Sequence, residues 1–179
     1  MMQRYTRLNI FFHWLLAVMI IIAFVVGTIM TDMHFSPLKL KVFSWHKWLG
    51  VTILGLVALR LVTRLITGAP TYPDSMPAWQ QRLAHWMHGL LYLLMFAVPL
   101  SGYFYTLAAG YPVVYFGLFE LPVLIPANPE LKPTLELTHE ILSKVLAVAF
   151  FAHLGAALKH LFIDKDGMFQ RMLPMRRTS

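Results

Sequence analysis

The chain of 179 residues contains no cysteine. That absence excludes disulfides, thiolate-held zinc, iron–sulfur clusters, covalently attached c-type haem and a thiolate axial ligand. Charge is scarce too: 13% of residues are charged, against 58% hydrophobic. Soluble domains carry about a quarter charged residues, so a water-solvated globule is a poor reading and lipid is the expected solvent for most of the chain. No internal repeat, low-complexity tract or glycine-rich phosphate loop is present, and the first three apolar runs carry no carboxylate that could hold Mg²⁺. What the chain does have is eight histidines, the natural metal ligands in so uncharged a sequence.

Four apolar runs, at about 8–30, 42–66, 83–107 and 134–163, are each long enough to cross a bilayer as a helix. The expected fold is all-α: one transmembrane domain over 1–179, an antiparallel up-down four-helix bundle. Arg4 and Arg7 precede the first run as in a signal peptide, but the run is too long and lacks a small-residue cleavage site, so it is expected to stay in the mature protein. Polar, proline-bearing segments at 31–40, 67–82 and 108–133 separate the runs.

Four crossings put both termini on one side. That side carries Arg4, Arg7, Arg60, Arg64, Arg82, Lys159, Lys165, Arg171, Arg176 and Arg177 against Asp74, Asp164 and Asp166. The other carries Lys39, Lys41, Lys47, Lys132 and Lys144 against Asp32, Glu120, Glu130, Glu136 and Glu140. The whole net charge of +7 therefore lies on the termini side. The Lys/Arg excess predicts cytoplasmic termini. A basic tail meeting anionic lipid then accounts for the isoelectric point near 9.9 without nucleic acid.

Ionisable residues inside a membrane span are functional candidates by default. His13, His46, His85, His88, His139 and His153 fall inside the spans or near their ends, His160 sits near the cytoplasmic end of the fourth, and His34 is in a loop. Counting along alternating helices places His13 and His153 in the inner leaflet and His46 and His139 in the outer. His139 and His153 are 14 residues apart, roughly 40° short of four turns and about 21 Å along the axis, so they share a face at two depths. His13 and Gly27, His46 and Arg60, and His88 and Gly102 repeat the same spacing. Two stacked cavities follow, with His13 opposite His153 and His46 opposite His139. Facing imidazoles without a carboxylate or thiol suit a flat six-coordinate iron macrocycle better than tetrahedral zinc, which argues for two haem b. His85 and His88 also lie in the inner leaflet and are alternative partners for His153. Gly27, Gly50, Gly55, Gly89, Gly102 and Gly155 lie within spans, where small residues admit a macrocycle or a neighbouring helix. Trp14, Trp45, Trp48 and Trp86, beside the histidines, read as interfacial or core residues. His160, Lys159, Arg60 and Arg64 are candidates for haem propionate or quinone contacts.

The segments RYTRLNIFFHW (4–14), WHKWLG (45–50), AHWMHGLLY with PLSGY (84–103), THE (138–140) and HLGAALKH (153–160), with the Arg60 and Arg64 pair, resemble the bacterial cytochrome b561 family over nearly the whole chain. Related di-haem subunits anchor nickel–iron hydrogenases and formate dehydrogenases. The resemblance implies axial ligands from the first, second and fourth helices, which fall on His13, His46, His139 and His153. It also implies an inner-membrane superoxide oxidase that takes electrons from superoxide at the periplasmic face and reduces ubiquinone near the cytoplasmic side. On that reading Lys39, Lys41, Lys47 or Lys132 would concentrate the anion, and the third loop would lid the outer haem. Two other readings stand beside it: an electron-relay subunit docking a hydrogenase or dehydrogenase partner, and a histidine-lined metal or proton carrier.

Overall fold

The computed structural model describes residues 4–73 and 76–173. Asp74, Arg176 and Arg177, counted above on the termini side, lie outside them. Four helices carry the fold: α1 Arg7–Asp32, α2 Pro37–Thr67, α3 Ala78–Ala108 and α4 Lys132–Lys159, which continues into a π-helical turn at His160–Asp164. Each helix is long and apolar enough to cross a membrane. Sequential helices pack as neighbours, α1 on α2, α2 on α3 and α3 on α4, and α1 meets α4 through the rings of His13 and His153.

The helices outrun the apolar runs that announced them, because hydropathy marks where lipid begins whereas the hydrogen-bond ladder continues until a cap stops it. Thr6 opens α1 by accepting from the Asn9 N–H at 3.3 Å. Ser36 accepts from the Lys39 N–H at 3.2 Å, with Pro37 in the first turn, and so starts α2 ahead of the expected Val42. At its far end Gly68 takes φ +70°, a left-handed conformation that needs no Cβ, and its N–H closes on the Arg64 carbonyl at 2.9 Å. Before α4, Asn128 Oδ1 accepts from the N–H groups of Glu130 and Leu131.

The third loop departs from the all-α expectation. It contains an antiparallel pair, β1 Val114–Tyr115 and β2 Phe119–Glu120, and this hairpin folds onto α2. Trp48 Nε1 donates to the Val114 carbonyl at 2.7 Å, the Tyr115 hydroxyl lies 2.8 Å from Thr52 Oγ1, and Phe116 stacks on Trp48 with ring centroids 4.8 Å apart. Tyr103 also donates its hydroxyl to the Pro122 carbonyl.

Two buried clusters lie between the helices. Leu16, Ile53 and Val57 form one, against Met19, Ala23, Tyr92 and Phe96; Leu94, Leu146 and Ala149 form the other, against Leu91, Val98 and Leu142. On every helix these residues fall between the two positions set 14 apart, so the tight packing is a septum midway through the bundle. Outside it, large side chains such as Leu65, Ile66, Val148 and Phe151 face outward, as lipid allows. At the end nearer the termini, Trp14 Nε1 donates to the Met172 carbonyl at 2.7 Å and buried Arg171 donates to the Thr71 carbonyl.

Candidate functional site

Each helix supplies one residue to each of two layers, 14 positions apart. The layer nearer the termini, here the inner layer, takes His13 from α1, Arg60 from α2, His88 from α3 and His153 from α4. The outer layer takes Gly27, His46, Gly102 and His139 in the same helix order. At about 1.5 Å per residue the layers lie roughly 21 Å apart along the axis.

In the outer layer the rings of His46 and His139 face each other with centroids 6.2 Å apart and planes at 81°. The two glycines make room for them. A Cβ on Gly27 would lie 3.0 Å from His46 Cε1, and one on Gly102 would lie 2.9 Å from His139 Cε1. His139 Nδ1 is 3.0 Å from the Val98 carbonyl, which can only accept, so Nδ1 carries the proton and Nε2 keeps its lone pair. Ser101 Oγ, itself donating to Val98, sits 3.0 Å from the same nitrogen. The buried Nδ1 of His46 has no hydrogen-bond partner.

The inner layer holds three imidazoles. His13 and His153 have centroids 6.2 Å apart with planes at 77°; His88 lies 5.4 Å from His153 at 67°. Arg60, 8% exposed, donates to the Asn9 carbonyl at 2.8 Å and points a second nitrogen at His13 Nδ1, 3.4 Å away. No carboxylate reaches this guanidinium among the described residues. Below it Asn9, 2% exposed, donates to Thr67 Oγ1 at 2.7 Å and accepts from Thr63 at 3.1 Å. Asn9 is a polar residue inside the first apolar run, but nothing in the sequence marks its role in holding Arg60. The Ser101 and Val98 contacts were likewise beyond sequence reasoning, since neither residue is unusual in an apolar helix.

These donor sets fit a six-coordinate haem iron. An imidazole–metal bond is about 2 Å, so a metal between two ring nitrogens holds their centroids about 6 Å apart, the separation found in both layers. Neither pair has a carboxylate or thiolate beside it, and the uncompensated Arg60 suits a group that brings its own carboxylates. The glycine expectation is refined: Gly27 and Gly102 accommodate imidazoles, whereas a Cβ on Gly55, Gly89 or Gly155 would meet nothing within 4 Å.

Several expected roles move. His160 Nδ1 is engaged, 2.7 Å from Asp166 and 3.2 Å from Asp164, which leaves Nε2 as the ring nitrogen for a quinone or propionate, and Lys159 pairs with Asp164 at 2.6 Å. The π turn causes this by carrying both carboxylates back against the end of α4. Arg64 lies over the Tyr5 ring at 5.2 Å. Nearby, burial pushes the phenol of Tyr72 up, aided by Tyr5 and opposed by Arg64. His85 is separated from His88 on α3: it is exposed, lines a surface cleft of about 340 Å³ with Arg82 and Trp86, and makes no ring contact among the described residues. Lys39 is engaged as well, donating to the Met33 carbonyl at 2.6 Å where α1 ends.

The chain matches the family model described as prokaryotic cytochrome b561 over residues 4–175. It is 31% identical over 172 residues to "Cytochrome b561 homolog 2" of Escherichia coli (strain K12), covering 96% of this chain and 92% of that one. To "Cytochrome b561 homolog 1" of the same strain it is 28% identical over 177 residues, covering 98% and 100%. To "Probable superoxide oxidase CybB" of Yersinia pestis it is 29% identical over 187 residues, covering 99% of each.

Proposed function

The chain belongs to the prokaryotic cytochrome b561 family of membrane electron-transfer proteins, which implies b-type haem, and we propose that as a single transmembrane unit it binds two such haems and acts as a superoxide:ubiquinone oxidoreductase. The observation that carries the reading is the double pairing of His13 with His153 and His46 with His139, each at 6.2 Å. Each haem, when bound, supplies one-electron redox chemistry. Two such centres suit the stoichiometry: two superoxide anions each give one electron and leave as O₂, and one quinone takes both electrons and two protons.

The chain's own residues then have distinct tasks. Val98 and Ser101 hold the His139 ring at Nδ1 and leave Nε2 with its lone pair for a metal. The guanidinium of Arg60, uncompensated by protein, is the partner for a propionate at the inner haem. Lys47, half-buried and next to His46, together with Lys41 and Lys132, supplies positive charge for a small anion at the outer end. The hairpin on α2 covers the flank of that end. The charge asymmetry supports cytoplasmic termini, with the outer layer facing the periplasm. The Yersinia pestis relative's name supports superoxide as the donor.

The test is the visible spectrum of purified protein, followed by superoxide-dependent ubiquinone reduction in detergent. Two b-type haems per chain, one lost on His153→Ala and none on His34→Ala, are expected, with His46→Ala and His139→Ala removing the same haem. Removal of different haems by those two variants refutes the pairing. Electron transfer only with an added dehydrogenase or hydrogenase favours the relay role, and a colourless preparation leaves the metal or proton carrier.

A further inference from the structure

Resting on the two-haem reading, we infer that the inner layer has the higher electron affinity, that Arg60 sets the difference, and that electrons therefore settle on the side of the termini. The two layers present matched imidazole pairs at equal separation, so ligand identity cannot distinguish them. Their surroundings do. In the outer layer a backbone carbonyl faces a ligand ring: Val98 accepts the His139 Nδ1–H at 3.0 Å. A carbonyl accepting from a ligand's N–H makes the imidazole more basic and favours the oxidised metal.

The inner rings face a more deeply buried cation, Arg60, 8% exposed, against half-buried Lys47 at the outer end. Arg60 points a guanidinium nitrogen at His13 Nδ1, 3.4 Å away, and the His13 ring in turn faces His153. With metal on His13 Nε2 the proton moves to Nδ1 and that ring's contact with Arg60 ends. The guanidinium stays in place all the same, because the Asn9 carbonyl holds it at 2.8 Å. Buried and without a carboxylate from the protein, this charge disfavours the oxidised metal and favours the added electron. Each haem b brings the same carboxylates, so these cancel in the comparison while Arg60 does not. Both environments push in one direction, and the ordering runs from outer low to inner high.

The experiment is a redox titration of the holoprotein in detergent, followed at the reduced α-band. Wild type is expected to show two one-electron steps. Arg60→Gln should lower the upper step by about tenfold in electron affinity, which is about 59 mV for a one-electron couple, and leave the lower step in place. Arg60→Lys, which keeps the charge, should restore most of the shift. His46→Ala, which removes the outer haem, should leave a haem that titrates at the upper step, and this readout does not depend on the folding of any Arg60 variant. A remaining haem at the lower step, or an Arg60→Gln protein with the upper step unmoved, overturns the inference. Fewer than two haems in wild type overturns the two-haem reading itself, and the ordering with it.

Discussion

The glycine at 102 offers the sharpest test of how the outer pair is held. Its absent Cβ would sit 2.9 Å from His139 Cε1 and 3.1 Å from Nδ1, so alanine cannot be added without moving the ring. The obstacle is a ring fixed at Nδ1 by the Val98 carbonyl and Ser101, so moving it also breaks a buried hydrogen bond. Overpacking of this kind costs about 1–3 kcal/mol, and the lost bond adds about 1 kcal/mol. In a helix interior alanine is otherwise better than glycine by about 1 kcal/mol, which offsets only part of what the site loses. The expected signature is a normally folded Gly102→Ala protein whose outer haem is bound about 10- to 100-fold more weakly. Gly55→Ala is the control, since its Cβ would meet nothing within 4 Å. The assay is the haem-to-protein ratio of both variants during dilution, with the far-ultraviolet spectrum as the check on folding. Equal haem retention by Gly102→Ala and Gly55→Ala would refute the argument that this glycine exists to seat an imidazole.

Two further expectations follow from single contacts. Asn9→Ala removes the bonds to Thr67 and Thr63, yet both hydroxyls still donate to carbonyls of their own helix at 2.8 Å. The loss is therefore limited to about 1–3 kcal/mol of unfolding stability in detergent, and an unchanged unfolding midpoint would show that the network contributes nothing. Tyr115→Phe deletes one hydrogen bond, about 0.5–1.5 kcal/mol, whereas Trp48→Phe removes the bond to Val114 and weakens the stack on Phe116. Protease cleavage within 108–131 should accelerate more for Trp48→Phe, and equal rates for both would count against the hairpin's attachment to α2.

The membrane helices and both histidine pairs were legible in the sequence because one number governs them. At 3.6 residues per turn a spacing of 14 returns nearly to the same face, so His139 and His153 announce two depths without knowledge of the neighbours. The His85 and His88 ambiguity has the same origin in reverse: three residues amount to about 60° of rotation, too little for hydropathy to separate when both flanks are apolar. Only the packing of α3 on α4 shows which one turns toward His153. The engagement of His160 was hidden because a π turn brings Asp164 and Asp166 back onto α4, and no residue pattern marks that insertion. The hairpin escaped for a simpler reason. Its strands are two residues each, too short for alternation to register.

The placement of the packed septum explains why the sites lie where they do. In lipid, apolar side chains gain little by leaving the solvent, so helices associate through close packing and polar contacts. Here the close packing is confined to the stretch between the layers, where Leu16, Val57, Leu94 and Ala149 interlock. Toward each end the four helices meet through imidazoles, glycines and one guanidinium, groups that bind a cofactor better than they bind one another. His46 Nδ1, buried without a hydrogen-bond partner, shows the cost of that arrangement within the protein alone. A group that binds only the assembled bundle adds its binding energy to assembly, so each haem would tie together the helices that donate its ligands: α1 to α4 in the inner layer, α2 to α4 in the outer. Since α4 serves both, the helix that carries two histidines is also the one through which the two ends are mechanically joined.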